Sequence, residues 1–193
     1  MLKHAGTRRL ETGRLILRRY NVEDAPAMFE RWCHDPEVSR YLTWPPHESV
    51  DVTRALLKEW VADYDRPDCY NWVLELKDGG GIIGNCSVVR IDESIDELEL
   101  GYCMGRAWWG KGYMPEAVRA IVAFLFDVVG ANRVAAKHDT ENPKSGRVMQ
   151  KAGMTFEGVR RQGFRGMQGI RDVACYAILA SDRHDADSSL DER

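Results

Sequence analysis

The chain has 193 residues, a hydrophobic fraction of 44%, a charged fraction of 30% and a net charge of −3. This composition is typical of a folded globular protein long enough for one ordinary domain, and it excludes a disordered chain. The acidic balance predicts no general attraction to nucleic acid, and no apolar run reaches the length of a membrane span. Since the first residues lack the apolar core of a signal peptide, we expect a cytoplasmic protein.

The first third of the chain is predicted to hold one strand, two helices and a rigid loop. The strand covers 14–19, and polar residues then lead into a helix over 22–33. Apolar residues at helical spacing predict a second helix over 50–64. The intervening segment 34–49 contains two adjacent prolines, so we expect it to form a loop without regular structure.

The rest of the chain is predicted to form strands with helices between them. The sequence DGGG indicates a hairpin turn between the first two of these strands, and a looser turn follows the second. The predicted strands are 71–76, 82–90, 97–104, 133–137, 154–160 and 172–179, and the predicted helices run from 115 to Gly130 and over 143–152. This order predicts an α/β fold in which helices cover a mixed sheet.

The most informative segment is 97–117, which combines a strand, a glycine-rich turn and a helix start. Gly110 and Gly112 flank Lys111 and allow positive φ without Cβ atoms in the way of a ligand. Pro115 suits the first turn of a helix, because the N–H that it lacks would have no partner there. Such a turn presents N–H groups and the positive end of a helix dipole to an anion, most often a phosphate.

One interpretation of this turn is a nucleotide-binding P-loop. Gly105, Gly110 and Lys111 satisfy most of the pattern G-x-x-x-x-G-K-[ST]. Gly112, however, stands where the hydroxyl ligand of Mg²⁺ belongs. A P-loop-like nucleotide-binding protein is therefore the less favoured alternative.

The turn also resembles the acyl-CoA loop of the GCN5-related N-acetyltransferase (GNAT) superfamily, whose pattern is [Q/R]-x-x-G-x-[G/A]. Residues 107–112 read AWWGKG, so Ala107 departs from the first position of that pattern. Trp109 to Tyr113 followed by Glu116 and Ala117 is similar instead to the branch that acetylates the N-termini of ribosomal proteins (RimJ/RimL-like).

A second motif of the superfamily, N-x-x-[SA]-x-x-[hydrophobic]-x-x-K-x-G-[FM], lies about 30 residues downstream. The residues that match it in register are Asn142, Ser145, Val148, Lys151, Gly153 and Met154. Asn142 before Pro143 could also be an ordinary helix cap, and Ser145 a solvated serine of the first turn. The resemblance covers nearly all of residues 10–180.

The resemblance implies a GNAT-like fold, with a mostly antiparallel central sheet flanked by helices and splayed at the acetyl-CoA site. We expect one N-acetyltransferase domain over 1–180 and a loose polar tail over 181–193. The implied activity is transfer of an acetyl group from acetyl-CoA, the co-substrate, directly to a primary amine. A non-catalytic acyl-CoA-binding sensor is the other alternative that we retain.

The resemblance also implies which residues bind acetyl-CoA. The pyrophosphate would lie on the N–H groups of 109–114 at the helix start, with Lys111 adding positive charge. The pantetheine arm would pair with the end of the strand at Cys103 and Met104, and Asn142 would help to hold it. The full predicted set is Cys103, Met104, Trp109, Gly110, Lys111, Gly112, Tyr113, Met114, Asn142, Lys144 and Ser145.

The catalytic predictions rest on a carboxylate and a serine. Glu99 is the first choice for the base, and Glu97, two residues earlier on the same strand face, is its rival and a candidate substrate contact. Both could equally be surface carboxylates. Many superfamily members use a tyrosine to meet the leaving thiolate, but Met149 occupies that position here, so Ser145 becomes the candidate donor.

The acceptor is expected to be an amine-bearing peptide or small molecule. Tyr41 and Trp44, held by the neighbouring prolines, could form a wall of its pocket or could be core aromatics. The histidines and the five cysteines show no metal-ligand spacing, so no metal is expected. A homodimer is possible, and neither nucleic acid nor a membrane is expected as a partner.

Overall fold

The computed structural model describes residues 1–182, and its central feature is an eight-stranded sheet. The strands lie in the order β1-β2-β3-β4-β5-β6-β8-β7. Their bounds are β1 Leu10–Glu11, β2 Leu15–Arg18, β3 Asn71–Leu76, β4 Gly81–Asp92, β5 Glu97–Met104, β6 Arg133–Asp139, β7 Thr155–Gly166 and β8 Gly169–Leu179. Of the predicted tail, only residues 181–182 belong to the described part of the chain, and 183–193 lie outside it.

Five α-helices that both begin and end within residues 1–182 accompany the sheet. They are α1 Ala25–Met28, α2 Pro36–Ser39, α3 Val50–Ala62, α4 Tyr113–Phe124 and α5 Pro143–Lys151. A 3₁₀ turn over Val22–Asp24 precedes α1, and a π-helical turn over Phe29–Cys33 continues it. A similar π-helical turn, Leu125–Val129, extends α4 up to Gly130, where φ is +76°. None of the helices described has the length and apolar character that crossing a membrane requires.

The helices cover both faces of the sheet and form two apolar cores. One core joins α4 and α5 to the sheet, with Leu98, Leu100, Val118 and Ile121 at its centre. The other joins α1 and α3 to Val73 and Ile82 on the opposite face. Neighbouring residues of a strand point to opposite faces, which is why β3 and β4 contribute buried residues to both cores. This mixed, mostly antiparallel sheet confirms the predicted fold class.

The β5–β6 pair differs from every other pair in the sheet of residues 1–182, because its strands run parallel. The pairing extends only from Glu97 opposite Arg133 to Leu100 opposite Ala136. Both strands continue beyond this point, β5 to Met104 and β6 to Asp139. The sheet is therefore splayed in its middle, and the last four residues of β5 have a strand neighbour on the β4 side alone.

Two local predictions were wrong in their extent. The loop over 34–49 contains the short helix α2, which Asp35 caps by accepting a hydrogen bond from the Glu37 N–H at 3.0 Å. Strands β7 and β8 are longer than predicted and meet in a tight hairpin around 167–168. Register shifts near Gly158 and between Arg160 and Phe164 interrupt the alternation along β7. Because of that interruption, the sequence pattern did not reveal the second half of β7.

Candidate active site

The glycine-rich turn leaves a row of backbone donors at the start of α4. Gly110 and Gly112 both adopt positive φ, +75° and +81°, and Gly112 is the N-cap residue of the helix. The first i to i−4 bond in α4 runs from the Glu116 N–H to the Gly112 carbonyl. The N–H groups of 110–114 donate to no protein acceptor within residues 1–182. The turn therefore has the donor arrangement of an anion site.

The Trp109 N–H does not belong to this row, which differs from the sequence-based prediction. It donates to the Arg106 carbonyl at 3.1 Å and closes a short 3₁₀ turn. The Trp109 indole instead donates from Nε1 to the Met104 carbonyl at 2.7 Å. Through this indole hydrogen bond to the Met104 carbonyl, Trp109 anchors the turn to the end of β5.

Arg14, at the start of β2, is a cation beside the turn that sequence reasoning did not single out. Its Nη1 donates to the Lys111 carbonyl at 3.0 Å, and its guanidinium lies 4.3 Å from the centre of the Tyr113 ring. Glu116 holds Arg14 there, because its carboxylate accepts from the backbone N–H and from Nε of Arg14. Arg14 and Lys111 are thus two cationic side chains at the turn, and Glu116 balances the charge of Arg14.

A cavity of about 650 Å³ opens where β5 and β6 part. It extends from the splayed strands to the helices on the opposite face, and Phe164 of the β7–β8 hairpin contributes to its wall. The predicted site residues that line it are Tyr41, Trp44, Glu99, Cys103, Asn142 and Ser145. The structure thus brings together residues that are more than 100 positions apart in the sequence.

Glu97 and Glu99 are buried, with 5% and 7% of their surfaces exposed, so neither is a surface carboxylate. Glu99 pairs with Lys137 Nζ at 2.8 Å and with Arg90 Nε at 3.2 Å. Glu97 pairs with Arg90 and Arg133 and lines a separate groove of about 340 Å³. Glu99 lines both spaces, so of the two carboxylates it is the one that faces the larger cavity.

Asn142 and Ser145 lie at the start of α5, which faces the opening from the β6 side. Asn142 is the N-cap residue, and its Oδ1 accepts from the Ser145 N–H at 3.4 Å. Ser145 Oγ lies 3.0 Å from Tyr102 Oη. Met149, in the position of the superfamily tyrosine, has 1% of its surface exposed and belongs to the core. Ser145 is therefore the hydroxyl that α5 presents to the cavity, and Met149 does not line it.

Lys144 joins this helix start to the glycine-rich turn. Its Nζ lies 4.9 Å from the centre of the Trp109 ring, a cation–π distance. Lys144 does not line the larger cavity, and its charge lies between the two segments that are predicted to hold acetyl-CoA.

Two thiols line the cavity but are poor nucleophiles. Burial raises the pKa of the Cys103 thiol to about 12, and Cys103 Sγ donates to Asn85 Oδ1 at 2.8 Å. Burial also raises the pKa of Cys33. A thiol reacts as the thiolate, so neither cysteine is suited to carry an acyl group.

His47 also lines the cavity, and no sequence motif pointed to it. Its Nδ1 lies 2.8 Å from Oγ1 of Thr53, which is fully buried, and its ring lies 5.5 Å from the ring of Trp44. Burial lowers the pKa of His47. The cavity wall therefore favours an uncharged imidazole beside Trp44. Within residues 1–182 no group of three or more His, Cys, Asp or Glu side chains is placed to hold a metal ion.

The profile of the family described as "Acetyltransferase (GNAT) domain" matches residues 14–155. The chain belongs to the GNAT acetyltransferase family. GNAT enzymes use acetyl-CoA as the co-substrate, and the matched segment contains the glycine-rich turn, the splayed strands and the start of α5.

Named relatives agree with the family. The "uncharacterized N-acetyltransferase p20" of Bacillus licheniformis is 30% identical over 171 residues, 88% of this chain and 95% of the relative. The ribosomal protein uS5-alanine N-acetyltransferase of Escherichia coli (strain K12) is 26% identical over 174 residues, 78% of this chain and 79% of that enzyme. The GNAT chain is thus an N-acetyltransferase that resembles enzymes of the ribosomal-protein branch.

A solved structure shows the same fold. The crystal structure of the microcin C7 self-immunity acetyltransferase MccE, in complex with acetyl-CoA and AMP, matches with a TM-score of 0.79. The match covers 87% of this chain and 93% of that chain at 18% sequence identity, so it is evidence for the fold alone.

Proposed function

We propose that the chain moves an acetyl group from acetyl-CoA directly to a primary amine of a protein N-terminus or a small molecule. The observation that carries this proposal is the cavity of about 650 Å³ at the interrupted β5–β6 pairing. It joins the splayed end of β5 and the start of α5 to an aromatic wall across the sheet. Such a cavity gives the two substrates access to a common space from different elements of the fold.

The turn before α4 suits the pyrophosphate of acetyl-CoA. Gly110, Lys111, Gly112, Tyr113 and Met114 offer N–H groups at a helix start, where the helix dipole also favours an anion. The charge of Lys111 adds to this field, while Glu116 balances the charge of the neighbouring Arg14. Lys144 lies between this turn and α5, where it can contribute a further positive charge.

The extended arm of acetyl-CoA suits the splayed part of β5. Residues 101–104 have no strand on the β6 side, so their backbone is open to an extended ligand there. Cys103 and Asn142 line the cavity on its two sides, β5 and α5. Met104 lies at the end of this stretch, and its carbonyl already accepts one hydrogen bond, from Trp109 Nε1.

The amine would enter between the aromatic wall of Tyr41 and Trp44 and the carboxylate of Glu99. Rigid aromatic side chains order at little entropic cost and pack against the acceptor. Glu99 would attract the ammonium form and take its proton directly or through water. An α-amine needs little help, because its ordinary pKa is about 7.7–8, against about 10.4 for lysine. Glu97 would act at a distance, by holding Arg90 beside Glu99.

Transfer without an acyl-enzyme follows from the character of the cavity thiols. Cys33 and Cys103 both have raised pKa values, so attack on the thioester falls to the amine. The departing thiolate would meet the Ser145 hydroxyl at the start of α5. A serine stabilises a thiolate by a hydrogen bond more readily than by full proton transfer.

Calorimetry with acetyl-CoA and with ATP tests the binding half of the proposal. We expect acetyl-CoA to bind. Any binding of ATP should not depend on Mg²⁺ and should not lead to turnover, because Gly112 offers no hydroxyl ligand for Mg²⁺. Failure of acetyl-CoA to bind would remove the proposed function. Hydrolysis of ATP would favour the P-loop alternative instead.

Release of free CoA thiol against a panel of peptides and small amines tests the catalytic half. Turnover with at least one amine supports the transferase. Tight binding of acetyl-CoA without thiol release for any amine would favour the sensor, for which the buried Met149 is the supporting observation. The predictions of one domain over 1–180, a homodimer and a cytoplasmic location stay predictions.

A further inference from the structure

Tyr102 reaches across the splayed sheet and contacts the start of α5. It belongs to the part of β5 that has no strand on the β6 side. Its Oη lies 3.0 Å from Ser145 Oγ and 3.0 Å from the Ser145 carbonyl oxygen. Tyr102 and Ser145 both line the larger cavity. This contact therefore places a phenol within hydrogen-bond distance of the hydroxyl that the proposed function assigns to the leaving thiolate.

The single proton of Tyr102 has two acceptors, and the choice decides where the serine proton points. When Tyr102 donates to the Ser145 carbonyl, its oxygen can accept the Ser145 O–H, which commits that proton to the phenol. When Tyr102 donates to Ser145 Oγ, the Ser145 O–H is free to point elsewhere. A charged acceptor in the cavity favours the second arrangement, because hydrogen bonds in a chain strengthen one another.

The phenol is a donor at all ordinary pH values. Burial raises the pKa of Tyr102 well above its usual range, and this effect exceeds the opposing effect of the hydrogen bond with Ser145. Formation of a phenolate is therefore unfavourable in this position. Tyr102 is thus unsuited to supply a proton to the leaving group, and it can contribute only a hydrogen bond.

We propose that Tyr102 is a positioning residue, which donates to Ser145 Oγ and directs the Ser145 O–H at the sulfur of the departing CoA thiolate. The proposal rests on the proposed function. No proton leaves Tyr102 or Ser145 in this step, since the thiolate is stabilised by a hydrogen bond and takes its proton from the solvent afterwards. Tyr102 therefore acts on the transfer step through Ser145 alone.

A double-mutant cycle on kcat tests this dependence. Tyr102→Phe keeps the ring and removes the hydroxyl, and we expect it to lower kcat about tenfold while KM for acetyl-CoA changes little. We expect Ser145→Ala to lower kcat by at least as much. In the Ser145→Ala background, Tyr102→Phe should have almost no further effect, because the group through which it acts is gone.

Tyr176→Phe is the matched control. The Tyr176 hydroxyl also joins the sheet to α5, by accepting from Gln150 Nε2 at 3.4 Å, and it does not line the larger cavity. We expect the control to leave kcat unchanged. Losses in the double mutant that equal the product of the two single losses would overturn the proposal, as would an unchanged kcat in Tyr102→Phe.

The unmodified protein separates this failure from failure of the proposed function. The unmodified protein could bind acetyl-CoA and release thiol while the two kcat losses multiply in the double mutant. In that case Tyr102 has a structural role only, and the proposed transferase function is retained. If the unmodified protein releases no thiol with any amine, both proposals are removed. Thermal unfolding of each variant with and without CoA checks that the fold and the binding of the co-substrate are retained.

Discussion

Glu97 and Glu99 point from the same face of β5 and share Arg90 as an ion-pair partner, yet Glu99 alone of the two lines the larger cavity. The difference follows from position along the strand. Glu97 lies where β5 and β6 are firmly paired, and Glu99 lies one step before the pairing ends. Two carboxylates with nearly equal burial thus have different access to a substrate.

We expect Glu99→Gln to lower kcat about 100-fold, because it removes the carboxylate that attracts and deprotonates the amine. Glu97→Gln is the matched comparison, since it too breaks buried ion pairs with arginine. Both changes should lower the free energy of unfolding by about 1–3 kcal/mol. A loss of kcat in Glu97→Gln as large as that in Glu99→Gln would contradict the assignment. Steady-state kinetics and urea unfolding of both variants provide the measurement.

We expect Gly110→Ala to weaken acetyl-CoA binding about tenfold, because a Cβ at the turn obstructs approach to the free N–H groups. Gly130→Ala is the control, since both glycines have nearly the same positive φ, +75° and +76°, and open space around the missing Cβ. Both variants should lose about 1–2 kcal/mol of stability from backbone strain. Calorimetry should show weaker binding for Gly110→Ala alone. Equal affinities of the two variants would place the pyrophosphate elsewhere.

The Glu116 carboxylate predicts a pH-dependent contribution to stability. Burial alone would raise its pKa, but hydrogen bonds from Thr12 and Arg14 and the charge of Arg14 lower it overall. A carboxyl group with a lowered pKa in the folded state stabilises the fold above its unfolded pKa of about 4.3, and loses this contribution as the pH falls further.

Glu116→Gln should therefore lower the free energy of unfolding by about 1–2 kcal/mol at pH 7 and by much less at pH 3. Glu59→Gln, at an exposed position of α3, is the control and should change stability little at either pH. Denaturant unfolding at the two pH values measures the difference. A loss for Glu116→Gln that is the same at pH 3 and pH 7 would show that shape rather than charge holds Arg14.

Direct transfer predicts that no acetyl-enzyme accumulates. When the protein is incubated with acetyl-CoA and no amine, intact-mass spectrometry should find the unmodified chain, because burial suppresses the thiolates of Cys33 and Cys103. A rapidly formed thioester that an amine then discharges would contradict direct transfer. In that case Cys33→Ala and Cys103→Ala would identify the carrier.

The strand–turn–helix of residues 97–130 was predictable because local signals agree there. Glutamate and leucine alternate at the start of the strand, Gly110 and Gly112 mark the turn, and Gly130 ends the helical segment. The predicted bounds of β3 and β5 match the structure. Two motifs in register then identified the family from the sequence.

Contacts between distant segments could not be predicted from the sequence pattern. Nothing near Arg14 signals that it lies on the Tyr113 ring, and nothing near His47 signals its contact with buried Thr53. The Tyr102–Ser145 contact joins residues 43 positions apart and depends on the splay of the sheet. Such relationships are set by tertiary packing, which overrides local preference.

The splay at Leu100 also creates an unpaired strand edge inside the sheet. The outer edges of a sheet invite pairing with other protein chains, which is an aggregation hazard. The open stretch of β5 instead lies between β4 and the diverging β6, with four strands on one side of β5 and three on the other. A neighbouring protein would have to insert a whole strand between two existing ones, whereas a thin extended molecule needs only the gap. The open backbone groups of β5 are thus accessible to a narrow extended ligand and inaccessible to the strand of another protein.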